Sequence, residues 1–231
     1  MSDTEFLKLN LGCGLIAPEG WENIDKSLSA MLARHAILRA LLKTIRLLPS
    51  EVLSRKWPSN IRFYDVRKGL PFRDGSTSYV YVSNLLTALP YQETLKLFQE
   101  IYRVLVPGGI IRVVDLDVLK VTREYHNQHI SQLGSGGEAR LAPGESPVDK
   151  LALRLGFRVP AAQRGFLGRH FGKSRVRRVW LYDAESAKMY AESCGFVCSL
   201  KGFRDSRIPD IDAVERNEFI DTFSVEGEKR C

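Results

Sequence analysis

Cysteine is scarce in this 231-residue chain, and the few present form no pattern. Cys13, Cys194, Cys198 and Cys231 contain no CxxC pair and build no ligand set with the four histidines. That argues against a disulfide framework and a structural zinc, so no metal is expected and the thiols read as reduced, in a cytoplasmic protein. Long apolar runs are missing too: no uncharged stretch reaches the length that crosses a bilayer. The opening Met-Ser-Asp-Thr-Glu has no basic region leading into an apolar run, so no secretory signal is expected. No internal repeat is present. Acid is absent from one long window, Lys150 to Tyr182, which holds Lys150, Arg154, Arg158, Arg164, Arg169, Lys173, Arg175, Arg177 and Arg178. These nine cations exceed the formal net charge of +7, so the basic character is local and calls for an anionic partner.

What remains, 44% hydrophobic and 26% charged, describes one globular domain over residues 1–231. Strand-like segments occur at Leu9–Leu11, Trp21–Asp25, Asn60–Asp65, Ser78–Ser83 and Gly109–Asp115. Between the last two, Leu95, Leu97, Phe98, Ile101, Val104 and Leu105 recur at helical spacing, and Pro107-Gly108-Gly109 closes that helix. Strand, helix, strand in this rhythm predicts a parallel sheet with right-handed crossovers. Asp183 to Gly195 reads as a helix, and strands are expected at Phe196–Phe203 and Thr222–Glu228 around a long turn holding Pro209. Leu28 to Leu48 is a basic amphipathic helix stopped by Pro49, within an insertion at 28–59. It reads as a cover for a bare sheet face, or as a lid for peripheral membrane contact through 28–48. A second insertion, 126–178, is expected to be irregular from His129 to Arg178, with Leu133 to Gly137 as a loop.

Leu9-Asn10-Leu11-Gly12-Cys13-Gly14 ends a buried strand on a glycine turn. Residues without Cβ let a ligand press against bare backbone, as nucleotide-type cofactors require. An adenosyl cofactor without a pyrophosphate needs three things. Its amino-acid end needs backbone N–H groups, which Gly12 to Gly14 supply. Its ribose diol needs a carboxylate at the neighbouring strand tip, where Asp25 stands. Its adenine amino group needs an acceptor at the next tip, where Asp65 stands. The ordered trio is far more specific than any member alone.

On these residues the chain resembles the class I S-adenosylmethionine-dependent methyltransferases, in the subgroup of methyltransferase type 11 domains. The matching segments are LNLGCG at 9–14, GWENID at 20–25, YDVRKGLPFRDGSTSYVYVSNLL at 64–86 and EIYRVLVPGGIIRVVDLD at 100–117. Less widely shared are LYDAESAKMYAESCGF at 181–196 and DSRIPDIDAVERN at 205–217. The resemblance implies an α/β, Rossmann-like fold: a mostly parallel seven-stranded sheet with an antiparallel last strand and helical insertions. It implies S-adenosyl-L-methionine as cofactor, lined by Gly12, Gly14, Asp25, Asp65 and Val66 with the flanking Asn10, Leu11 and Cys13. Ser83 and Asn84 would lie near the transferring methyl. Three features depart from the pattern. Only ten residues separate Gly14 from Asp25, too few for a crossover helix. Asn84 and Thr87 stand where relatives often carry His and Glu, and Arg178-Val179-Trp180 stands where they often carry His before the Trp.

A hydroxyl acceptor needs a base to take its proton. His170 ranks first for that role, in Gly-Arg-His-Phe-Gly within the basic window, followed by Asp117, His126 and His129. No Asn/Asp-Pro-Pro-Tyr/Phe follows the fourth strand and no Pro-Cys nucleophile occurs, which argues against amino-group methylation of nucleic-acid bases and against C5 methylation of cytosine. The expectation is therefore O-methylation of a small-molecule or sugar/glycan acceptor that is anionic or lipid- or nucleotide-linked, held by Arg169, Arg175, Arg177 and Arg178. Two alternatives stay open: an RNA-associated methyltransferase using the same cations, with nucleic acid ranked below the glycan, and a non-catalytic cofactor-binding module.

Overall fold

Short runs rich in β-branched and aromatic residues make the strands, and the one long amphipathic run among them makes the crossover helix. A computed structural model describes residues 6–27, 31, 56–134, 146–156, 178–218 and 220–230. In chain order the strands are β1 (Leu7–Leu11), β2 (Glu22–Asp25), β3 (Ile61–Phe63), β4 (Thr77–Ser83), β5 (Leu105–Leu116), β6 (Phe196–Leu200) and β7 (Thr222–Lys229). The helices are α1 (Tyr91–Val104), α2 (Val118–Gly134), α3 (Pro147–Arg154), α4 (Ala184–Ser193) and α5 (Ile211–Val214). All seven strands join one sheet in the order β3-β2-β1-β4-β5-β7-β6. Only β7 runs antiparallel to its neighbours, β5 and β6, so the expected sheet is found. No helix among the described residues is long and apolar enough to cross a membrane.

One face of the sheet carries Leu9, Leu11, Val80, Val82, Ile111 and Val113, and α1 buries Leu97, Phe98, Ile101 and Val104 against it. Helix α4 adds Ala187 and Ala191, whose small side chains permit close approach. Asp183 caps α4 in a capping box with Ser186. The Lys229 ammonium donates to the carbonyls of Tyr102 and Leu105 at 2.8 and 2.7 Å, closing the C-terminal end of α1.

The opposite face presents Trp21, Tyr81, Ile110 and Val114, and Ile208, Ile211 and Val214 cover it. Leu28 to Leu48 had been expected to cover the bare face. Over these four residues the cover is the 208–214 segment instead, and 28–48 lies outside the described residues apart from Met31. The segment is pinned by charge. Arg112 of β5, fully buried, donates from Nε and Nη2 to Glu215 at 2.5 and 2.9 Å, and to the carbonyls of Asp205 and Gly202. Glu226 of β7 holds Ser206 and Arg207, while Lys8 and Trp21 both donate to Asp210. The DSRIPDIDAVERN motif is thus a lid on the second face, anchored by a buried ion network.

Several boundaries differ from the sequence expectation: β3 and β6 are shorter, Ile61–Phe63 and Phe196–Leu200. Strand β5 begins at Leu105, not Gly109: Thr77 pairs with Leu105 and Tyr79 with Ile110, so Val106 to Gly109 bulge out of the ladder instead of ending it. The region from His129 to Arg178, expected to be irregular, is helical where described, in the end of α2 and in α3, which Ser146 caps. Loop residues 135–137 lie outside the described residues.

Candidate active site

Parallel strands end on the same rim, so the tips of β1, β2, β3 and β4 gather the residues that follow them. The strand order turns back between β1 and β4, the place where open α/β sheets form a ligand crevice. Gly12 leaves β1 at φ +72°, and a Cβ there would stand 2.9 Å from the Ser83 carbonyl oxygen and 3.3 Å from Leu85 Cβ. Only glycine allows β1 and β4 to part at that distance. Gly14, at φ +55°, faces open space, and a Cβ there would meet nothing within 4 Å.

Ten residues connect this turn to Asp25 without a helix, and two buried amides replace it. Asn10 donates from Nδ2 to Asn23 Oδ1 at 2.9 Å and to the Ile16 carbonyl at 2.8 Å. Asn23 donates to the carbonyls of Pro18 and Trp21. From outside, Asn60 donates to the Ala17 carbonyl. Asn10, expected to line the cofactor, is 1% exposed with its amide committed to the loop, and Leu11 buries its side chain in the core. Both act by shaping the turn.

The turn's N–H groups face inward, contrary to expectation. Gly12 and Cys13 donate to the Ile24 carbonyl at 2.9 and 3.2 Å, and Gly14 donates to Asp25 Oδ2 at 2.9 Å. The Cys13 carbonyl is taken as well, by the Ile16 N–H at 2.9 Å, so the turn is bonded both to β2 and to the loop that follows it. Asp25 takes a second bond from the Ser27 N–H at 2.6 Å. A carboxylate has about four acceptor positions, so Asp25 keeps two for a diol. The Cys13 thiol, buried under the turn, is pushed up to about 12 by burial.

Asp65 follows β3 and caps a single 3₁₀ turn, Val66–Lys68, whose Val66 is buried. Arg67 grips its carboxylate from Nε and Nη2 at 2.9 and 2.8 Å, and Lys26 reaches across from the β2 tip at 2.7 Å. The Arg67 guanidinium, first among these, holds the Asp65 carboxyl well below the usual carboxylate range. At the end of β4, Asn84 adopts φ +49°, its N–H on the Val114 carbonyl and its amide on Ser83 Oγ at 3.2 Å. A non-glycine residue in that conformation is uncommon away from functional turns, and asparagine tolerates it best. Two carboxylates at successive tips and a glycine turn with open space at Gly14 fit an adenosyl amino acid.

The proposed catalytic groups do not converge there. Asp117 is 4% exposed and its Oδ1 accepts from the N–H groups of Leu119 and Lys120, so it caps α2. His126 is exposed on α2, nine residues beyond Asp117 and so roughly 13 Å along the axis. His129 is three residues further on the same helix. His170, Arg169, Arg175 and Arg177 lie outside the described residues, as does the His129 side chain. No metal-binding cluster of His, Cys, Asp and Glu occurs among the described residues.

A junction unforeseen in the sequence stands behind the β4 tip. Asp115 is fully buried and accepts from Thr87 Oγ1 at 2.9 Å, the Thr87 N–H at 3.2 Å and the Leu116 N–H at 2.7 Å. Burial pushes its carboxyl up. The Thr87 carbonyl in turn accepts from Val179 and Trp180 at 2.7 and 3.4 Å. Beside it Tyr91 and Trp180 pack at 5.3 Å between ring centres, tilted by 49°, and both remain partly exposed. Arg178 donates from Nη1 to the Arg154 carbonyl at 2.8 Å, and Arg154 pairs with Glu124 and Asp221. Thr87 had registered in the sequence only as a departure from the family pattern.

Residues 44–113 match a family described as a methyltransferase domain. The match spans β3, β4, α1 and most of β5 and leaves out the glycine turn and Asp25. Among solved structures, an S-adenosylmethionine-dependent methyltransferase from Mesorhizobium loti is similar at 15% identity and a TM-score of 0.47, over 97% of this chain and 91% of that one. One from Methanosarcina mazei is similar at 16% identity and a TM-score of 0.45, over 99% of this chain and 94% of that one. No curated protein sequence is significantly similar.

Proposed function

We propose that the chain is a class I S-adenosylmethionine-dependent methyltransferase and that it methylates a hydroxyl of a small-molecule or sugar acceptor that is anionic, or lipid- or nucleotide-linked; the methyltransferase-domain match over residues 44–113 supports the first part. When bound, S-adenosylmethionine supplies an electrophilic methyl group on a sulfonium. Asp25 would hold the ribose diol, Asp65 and Val66 the adenine edge, and the glycine turn at Gly12 to Gly14 the amino-acid end. Asn84 and Ser83 border the reacting end. Positioning two reactants away from water supplies most of the acceleration for an in-line displacement. For the acceptor proton, His170 stands first, since Asp117 is taken up as a helix cap and His126 is exposed along α2, roughly 13 Å from Asp117.

The observation that carries the acceptor class is the bond from Arg178 to the Arg154 carbonyl. It brings together two cations of the basic window, Arg154 and Arg178, and Val179 next to Arg178 donates to the Thr87 carbonyl behind the β4 tip. Cations gathered beside that tip suit a phosphorylated acceptor. The partly exposed Tyr91 and Trp180 add apolar ring faces at the same place, in keeping with a sugar. The unpaired thiols of Cys13, Cys194 and Cys198 suit a reducing cytoplasm.

Transfer of radiolabelled methyl to a panel of hexose phosphates, nucleotide-linked sugars, glycolipids and RNA tests the proposal. Label in a sugar-containing acceptor is expected, and label in RNA alone overturns it. Replacing Arg169, Arg175 and Arg177 together by Gln should raise the acceptor KM while leaving cofactor affinity unchanged. Arg178 stays in that variant because it holds the Arg154 carbonyl.

A further inference from the structure

Asp65 has no acceptor position left. Its Oδ1 takes the Arg67 N–H at 3.2 Å and Arg67 Nε at 2.9 Å, and its Oδ2 takes Arg67 Nη2 at 2.8 Å and Lys26 Nζ at 2.7 Å. Four donors fill the roughly four lone-pair positions of a carboxylate. An adenine amino group that uses Asp65 must therefore replace one of them. The donors differ in how readily they leave. Arg67 binds through two fork nitrogens and its own backbone, a chelate two residues away in sequence that also fixes the Asp65 rotamer. Lys26 makes one contact from a flexible side chain that is 49% exposed.

We propose that Lys26 is a latch on the adenine subsite, released from Asp65 when the adenine amino group arrives, while Arg67 stays and aims the carboxylate. The inference rests on the cofactor reading of Asp25 and Asp65 and goes beyond it by naming the residue that competes with the ligand. Lys26 is well placed for this task. It directly follows Asp25, the residue assigned to the ribose, and spans the gap between the β2 and β3 tips where adenosine would lie. Asp25 itself is anchored by Gly14 and Ser27, so moving the Lys26 side chain leaves the ribose acceptor in place. Two consequences distinguish a latch from an ordinary surface ion pair. Removing it tightens binding, and only for ligands that carry the amino group. Salt, which screens an exposed pair, tightens binding as well.

The test is calorimetric titration of the full chain with S-adenosylhomocysteine, which carries no net charge at neutral pH, and with its analogue bearing hypoxanthine in place of adenine. For wild type, affinity for S-adenosylhomocysteine should rise as potassium chloride goes from low to physiological concentration. Lys26→Ala should bind it about two- to five-fold tighter at low salt, the range an exposed ion pair spans, and should lose the salt dependence. The hypoxanthine analogue should bind both proteins equally. Arg67→Ala should not tighten binding as Lys26→Ala does, because Asp65 loses its aim. Weaker or equal binding of S-adenosylhomocysteine by Lys26→Ala overturns the latch, and so does equal tightening for both ligands. Failure of the cofactor reading looks different: wild type and Asp25→Ala would then bind S-adenosylhomocysteine with the same affinity, or not at all.

Discussion

Asn10 and Asn23, each 1% exposed, meet across β1 and β2 through an Nδ2 to Oδ1 bond of 2.9 Å, and between them they hold three carbonyls of the loop that follows β1. Asn23→Ala leaves the Pro18 and Trp21 carbonyls and the Asn10 amide without their partner. Unfilled buried polar groups cost about 1–3 kcal/mol, so thermal unfolding should fall by several degrees. Affinity for S-adenosylhomocysteine should drop further than stability alone explains, because the loop carries the glycine turn.

The two glycines of the turn should part company when changed to alanine. Gly12→Ala drives a Cβ to 2.9 Å from the Ser83 carbonyl at φ +72°, and urea denaturation should show a loss of about 2–4 kcal/mol. Gly14→Ala meets nothing within 4 Å and costs only its left-handed backbone, roughly 1–2 kcal/mol. If the cofactor presses against this bare backbone, as the cofactor reading requires, calorimetry should show its affinity falling at least about ten-fold with the fold intact.

Arg112→Ala leaves Glu215 inside the protein without its ion pair, while Glu226 keeps Arg207 and Ser206. Removing one partner of a buried charge group costs about 3–5 kcal/mol, and the 203–217 cover should loosen from Trp21, Tyr81, Ile110 and Val114. Hydrogen exchange at Ile208 to Val214 and Trp21 fluorescence would report it. Unchanged exchange there would contradict the anchoring role.

Asp65 should contribute to stability in a pH-dependent way. Its folded carboxyl lies below its unfolded value of roughly 3.9, first because of Arg67 and also because of Lys26. The contribution is therefore complete above that unfolded value and lost as pH falls below it toward the folded one. Denaturation of wild type and Asp65→Asn from pH 7 down to pH 3 should show a gap at neutral pH that narrows as the solution turns acid.

Much of the site was legible because parallel strands must end together, and a GxG, an Asp and an Asp on three such strands report one rim. The direction of the turn was not. Nothing in Gly-Cys-Gly says whether its N–H groups face a ligand or the Ile24 carbonyl, because the choice depends on how close β2 lies. Asp117 shows the same limit: an acid at a strand end serves equally as base or as helix cap, and the N–H groups of Leu119 and Lys120 decide. The cover of the second face was hidden because Ile208, Ile211 and Val214 form a sparse apolar row next to Pro209, weaker to the eye than the long face of 28–48. Thr87 was unreadable for another reason. Its partners, Asp115 and Val179, are 28 and 92 positions away, and a lone threonine carries no sign of either.

The 203–217 cover also sets the timetable of synthesis. Trp21 and Tyr81 emerge early, yet the residues that shield them and the strand β7 that completes the sheet beside β5 come last. A nascent chain ending before residue 203 would display a half-built sheet with an aromatic face open to water, the kind of surface that chaperones hold. Folding is thus governed by contacts far apart along the chain and should be slow for a protein of this size, finishing as one late event when β7 slots in between β5 and β6.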